Sequence, residues 1–183
     1  MRSGKLKTWD ESIKCALRAY TRREQYCYLY GAKAVLIRSR SDVEQYFQAS
    51  PEYYARYTSE EREQIIKNSL GKIACDCSGY VGWICTGDRQ YSTGQFANSS
   101  FQTEDLGAGV AGSCLYTTYG GKGRHIGIDI GYGYCCDMAY ESTDNNLEEG
   151  KAGIRLFRIQ DNIVDWEWSF QSNLIDYAEA SAR

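Results

Sequence analysis

The sequence predicts an α+β fold, with helices in the first half of the chain and an antiparallel sheet in the second. Three observations carry this expectation. Helix-capping signatures with apolar residues at helical spacing recur up to Cys85, and beyond residue 113 the apolar period changes to two. Glycine-rich turns at 120–123 and 131–133 then separate the alternating runs, as in a meander of antiparallel strands. The 183 residues suit one domain spanning 1–183, and a domain of that size buries about 70% of its unfolded surface, enough for a core without covalent staples.

Thr8-Trp9-Asp10-Glu11 is a capping box, and Ile13, Ala16, Leu17 and Tyr20 follow on one helical face. Residues 26–32 read as an aromatic, Gly-punctuated loop. Ser41-Asp42-Val43-Glu44 reads as a second box, opening a helix towards Ala49, and Pro51 starts a new turn or helix. Thr58-Ser59-Glu60-Glu61 is a third box, leading into Ile65, Ile66 and Leu70, with Gly71 as the stop. Cys77 to Cys85 is short and apolar, a helix whose first turn carries Cys77 and which Gly87 ends. Residues 88–112 read as loop. Strands are expected over Cys114–Tyr119, Arg124–Ile130, Tyr134–Tyr140 and Gly153–Ile159, and a final helix over Asn173–Ala180.

Charge narrows the function classes. A net charge of −3 is too small for a dedicated nucleic-acid binder. It is unevenly spread: residues 1–40 hold ten Lys and Arg against three Asp and Glu, and residues 141–183 hold four against nine. Either the two ends neutralise one another in the fold, or a basic face meets an anionic polymer. No stretch approaches the roughly 20 apolar residues of a membrane span, and the polar run after Met1 does not read as a signal peptide. The expectation is therefore no membrane insertion, and a chain that is cytoplasmic until it is released or exported. The eight Cys lack the spacing of a zinc site or a small disulfide scaffold, so most read as small buried apolar residues.

Two segments hold chemistry. In Asp76-Cys77-Ser78-Gly79 a thiol lies in the first turn of a helix. Unpaired N–H groups and the positive end of the dipole favour thiolate there, and the same N–H groups can receive an oxyanion. His125 is the only His in the chain, and so the only imidazole base available to such a thiol. Alternation puts it with Gly127 and Asp129 on one face of its strand, opposite Ile126, Ile128 and Ile130, and Gly127 leaves space beside the ring. Gly121-Lys122-Gly123 reads as a hairpin turn and not as a phosphate loop. Asn98-Ser99-Ser100, Trp166-Glu167-Trp168 and the cluster Tyr53, Tyr54 and Tyr57 are weaker patterns. The aromatic ones fit either a glycan surface or packing.

Asp76-Cys77-Ser78-Gly79-Tyr80-Val81, followed by His125-Ile126-Gly127-Ile128 with Ile130-Gly131 and Gly133, resembles the NlpC-type peptidoglycan cysteine peptidases. Their motifs run Asp-Cys-Ser-Gly-aromatic and His-Val-Gly-Ile-Tyr-Ile-Gly-x-Gly. Tyr28-Leu29-Tyr30-Gly31-Ala32 is similar to that family's Tyr-x-x-Gly-Gly segment. The likeness covers roughly residues 9–32 and 73–159, in the same order. It implies a papain-like NlpC-type fold with the nucleophile helix packed on the antiparallel sheet. It also implies catalysis by Cys77 and His125, with Tyr28 near the oxyanion and Asp76 and Ser78 binding the substrate's stem peptide, often through its free amine. The third catalytic residue falls at Asp137, twelve positions after His125, with Glu141 as an alternative.

Two departures stand out. Asp129 replaces a family Tyr, and residues 33–72 form an extra segment, expected to be a helical insertion near the groove. The function so implied is a cysteine peptidase that hydrolyses stem-peptide bonds of bacterial peptidoglycan without metal or cofactor. The setting would be a phage or prophage lysin, or an exported antibacterial effector. An amidase or acyltransferase using the same pair is one alternative. A non-catalytic metal-binding module with Cys75, Cys77, Cys135 and Cys136 as ligands is another.

Overall fold

The computed structural model describes residues 7–87, 102–103, 111–112, 114–119, 122–140, 152–159 and 170–172. Helix α1 spans Trp9–Thr21 and a 3₁₀ turn follows at Arg23–Gln25. Strands β1 (Tyr26–Tyr28) and β2 (Lys33–Leu36) precede helices α2 (Arg40–Ala49), α3 (Pro51–Tyr54) and α4 (Ser59–Ser69). Strand β3 (Ile73–Cys75) runs directly into α5 (Cys77–Thr86). The remaining strands are β4 (Gln102–Thr103), β5 (Cys114–Tyr119), β6 (Lys122–Gly131), β7 (Tyr134–Tyr140), β8 (Ala152–Arg158) and β9 (Phe170–Ser172). The class is α+β, as the change of period predicts.

The capping chemistry sets the helix starts. Thr8 and Glu11 bond reciprocally at α1, as do Thr58 and Glu61 at α4, and each such cap stabilises by about 1 kcal/mol. The second box lies two residues earlier than the expected Ser41…Glu44. Ser39 is the N-cap, and Asp42 reaches back to the Ser39 and Arg38 N–H groups at 2.9 and 2.8 Å. The shorter carboxylate does the work expected of a Glu, and Ser41 is drawn into the first turn.

Two expectations are corrected together. Residues 26–32 do not form a loop throughout, and residues 33–72 are not helical throughout. Cys27, Leu29, Ala32, Ile37 and Ala74 bury into a cluster with Val43 and Ile66 of the insertion helices. Burying that backbone requires hydrogen-bond partners for it, and β3 supplies them by pairing with β1 in parallel and with β2 antiparallel. The insertion therefore opens with a strand, and its helices roof a three-stranded sheet ordered β1-β3-β2.

The second sheet is antiparallel, ordered β4-β9-β5-β6-β7-β8. Its β5–β8 strands match the expected ones to within two residues. Ile126, Ile128, Cys136, Met138 and Ile154 project from it into the main core with α1 and α5. Alternate positions Leu115 and Cys135 form a separate cluster with Ile159. Helix α5 is buried along nearly its whole length. It lies between the two sheets, so the helix that starts at Cys77 is held from several sides. The expected helix Asn173–Ala180 lies outside the described residues. So do Glu141, Gly121, the segments 98–100 and 166–168, and most of the loop 88–112.

Candidate active site

Cys77 sits where β3 turns into α5. Asp76 is the N-cap, and its carboxylate accepts the Gly79 N–H at 2.6 Å. The Asp76 N–H donates to the Ala32 carbonyl and the Leu29 N–H to the Cys75 carbonyl, at 2.8 and 3.1 Å. The turn that carries Cys77 is thus pinned to the neighbouring chain at Leu29 and Ala32. The first-turn amides of a helix lie outside its own hydrogen-bond ladder and carry the positive end of its dipole.

His125 lies on β6 and Asp137 on β7. Gly127 is opposite Asp137 in the ladder, so Asp137 is a diagonal neighbour of His125 on the same set of side chains. Glycine at 127 is what lets them meet: a Cβ there would stand 2.5 Å from Cys135 Sγ and 3.2 Å from Asp137 Cβ. His125 Nε2 is 2.8 Å from Asp137 Oδ2, and the imidazole also makes a side-chain hydrogen bond with Cys77. With Nε2 on Asp137, Nδ1 is the ring nitrogen that serves the thiol. Cys77, His125 and Asp137 are 7%, 4% and 0% exposed, so water screens the three groups little.

The electrostatics follow. Burial alone would lower the His125 pKa. The hydrogen bonds to Asp137 and Cys77 and the charges of both outweigh it, raising the value to about 9. Burial pushes Asp137 up, but His125 and Arg155 together hold it below the ordinary carboxylate value. With its pKa raised to about 9, His125 is an imidazolium at neutral pH, bonded to the ionised Asp137 carboxylate.

Arg155 was not singled out in the sequence. It lies opposite Asp137 on β8 and donates from Nε to Oδ1 at 2.9 Å and from its Nη2 to Oδ2 at 2.5 Å. Pairing the last two strands of the meander in register would have found it, because an Arg opposite an Asp is a cross-strand ion pair.

Lys33 was missed as well. Its Nζ lies 2.8 and 2.7 Å from the Asp76 carboxylate oxygens and 2.7 Å from Ser78 Oγ. Asp76 and Ser78, which the resemblance assigns to a substrate amine, hold instead an ammonium of the chain itself. No local pattern points to Lys33, since 43 residues separate it from Asp76.

Tyr28, half-buried at the end of β1, lies near Cys77 and hydrogen-bonds to Tyr53 of α3. Burial first, and the Cys77 charge next, hold its phenol well above the ordinary value. Tyr53 stacks on Tyr30 at 4.0 Å between ring centres, and Arg56 covers Tyr53 at 3.8 Å. The insertion reaches Tyr28 through a cluster of tyrosines, Tyr53 among them. Asp129, the departure from the family pattern, shapes the hairpin: its carboxylate accepts the Gly131 N–H at 2.7 Å.

The eight cysteines are free thiols, seven of them buried. Among the described residues no three His, Cys, Asp or Glu gather in a way that could hold a metal ion. Cys135 and Cys136 turn into different clusters, so the four-cysteine ligand set is not assembled. Nor, among the described residues, is any helix long and apolar enough to cross a membrane. What the arrangement can do chemically is set a thiol against a protonated imidazole whose orientation a buried carboxylate fixes. No protein-family model matches this chain, and no curated protein matches it.

Proposed function

We propose that this protein is a cysteine hydrolase of NlpC type that cleaves stem-peptide amide bonds of bacterial peptidoglycan. The observation that carries the hydrolase reading is the line Cys77–His125–Asp137, with the thiol at a helix N-terminus and the imidazole bonded on both sides. The peptidoglycan substrate is supported by the motifs around Cys77, His125 and Tyr28.

The reaction is acyl transfer through sulfur. The Cys77 thiolate attacks the amide carbonyl carbon, and the resulting oxyanion is received by the first-turn amides of α5, with Tyr28 at the same edge. The C–N bond breaks as His125 passes its proton to the leaving amine. Water, deprotonated by His125, then opens the thioester and frees Cys77. Asp137 stays ionised throughout, fixes the ring's tautomer and stabilises the imidazolium.

Digestion of purified peptidoglycan by wild type and Cys77→Ala, with released fragments identified by mass spectrometry, tests this. Stem-peptide fragments from the wild type alone are the expected result, and their masses name the bond. Equal release by both proteins, or none by either, overturns the reading.

A further inference from the structure

Three features of the backbone converge on the Lys33 side chain. β2 carries a bulge between Lys33 and Val35, where Ala34 has φ 55, a left-handed conformation uncommon for a residue with a Cβ. Bulges next to active sites characteristically re-aim a side chain. Gly79 clears the path: a Cβ there would collide with the Ala32 carbonyl oxygen and stand 2.9 Å from Lys33 Cδ. At the end of the path Nζ meets both oxygens of Asp76 and the hydroxyl of Ser78. An ammonium has three N–H donors, so this cradle is complete.

We propose that Lys33 is a specificity-determining residue. Its ammonium fills, from within the chain, a cation subsite that Asp76 and Ser78 build beside Cys77. A substrate with a free amino terminus at that point would meet a like charge in place of a carboxylate. The substrate admitted there presents an amide or another uncharged group, as a peptide cut away from its amino end does. This rests on Cys77 being the nucleophile of a hydrolase. A lysine that only tied β2 to α5 would strengthen the fold without sorting ligands by charge.

The test compares two thiol probes of matched chemistry on the full chain: neutral methyl methanethiosulfonate and cationic 2-aminoethyl methanethiosulfonate. In both, the Cys77 thiolate forms a disulfide and methanesulfinate leaves. Modification of the Cys77 peptide is timed by mass spectrometry. Relative to wild type, Lys33→Ala and Lys33→Met raise the cationic-to-neutral rate ratio by about tenfold, the scale of one hydrogen-bonded charge. Lys33→Met keeps the alkyl stem and serves if the Ala variant does not fold. Lys33→Arg holds the wild-type ratio, and adding Asp76→Asn to Lys33→Met abolishes the gain. An unchanged ratio in the Met variant, or a gain that survives loss of the carboxylate, overturns the proposal.

A second arm uses stem tetrapeptides with free and acetylated amino termini. Wild type cuts the acetylated form at least as fast, and Lys33→Met shifts preference to the free form. Probe ratios that shift while no peptide is cut retain the subsite and overturn the peptidoglycan reading. Peptides cut with no shift in preference overturn the subsite alone.

Discussion

Arg155 and Asp137 face each other across β7 and β8, and the guanidinium forks onto both oxygens of a carboxylate that is completely buried. One of those oxygens also holds His125. The arginine therefore does two things to the histidine. It keeps the carboxylate ionised in a site where burial would protonate it, and it fixes the direction from which that carboxylate meets the ring. In the proposed mechanism Arg155 is a positioning residue, one step removed from the reacting atoms.

Arg155→Met is expected to lower kcat about tenfold with KM little changed, because the lost contact orients the base and does not touch substrate. The Asp137 carboxyl then titrates at a higher pH, so the acid limb of the rate profile moves up. Steady-state kinetics over a pH series read both effects, and an unchanged acid limb would count against the role.

Asp137→Asn removes the charge and retains the shape. A fall in kcat of roughly a hundredfold to ten-thousandfold is expected. Because the hydrogen bond and charge of Asp137 raise the His125 pKa, the alkaline limb of activity moves below its wild-type position. The half-buried Arg155 also loses its counter-charge, so the melting temperature drops. Calorimetry separates that loss from the kinetic one.

The pH dependence of the wild type has a definite sign. The folded His125 pKa of about 9 lies above the ordinary 6.5. The imidazolium therefore contributes stability in full below pH 6.5, and that contribution is lost as pH rises through 9. Activity should decline over the same upper range, as the imidazolium loses the proton that it passes to the leaving amine. Asp137 works in the opposite direction. Its folded pKa is below the ordinary 3.8, so its contribution is present above that value and disappears as acid titrates it. A rate plateau that ends near pH 6.5 would show that His125 is not held between Cys77 and Asp137.

Gly79→Ala should cost about 1–3 kcal/mol of stability, the range for overpacking. The added methyl meets the Ala32 carbonyl, Lys33 Cδ and Asp76 Oδ1 at once, and two of those three are parts of a tight hydrogen-bonded turn. Gly71→Ala is the contrast. Nothing lies within 4 Å of its Cβ position, and only the φ of +76 opposes it, costing about 1 kcal/mol. Denaturant midpoints of the two variants should rank in that order.

Much of the architecture was legible in residue order. Capping boxes at Thr8 and Thr58, the stop at Gly71, the apolar helix from Cys77 and the change to two-residue alternation after residue 113 are local effects. Backbone hydrogen bonding and side-chain spacing act over a few residues, and short windows record them. Asp137 was expected beside His125 only from the family resemblance, twelve positions on; the structure brings the two together through the hairpin at 131–133.

Other features were decided only by tertiary contacts. The strands at 26–28 and 33–36 exist because β3, some forty residues later, supplies partners for a backbone that burial would otherwise strip of hydrogen bonds. Lys33 enters the site through a bulge in one strand and a missing side chain on another element. Neither carries meaning until the two are packed together. By itself the sequence determined which segments are helix or strand and which thiol opens a helix, since those depend on neighbours along the chain. The folded structure alone decided which charges surround them, because Coulomb interactions act through space and take no account of separation along the chain.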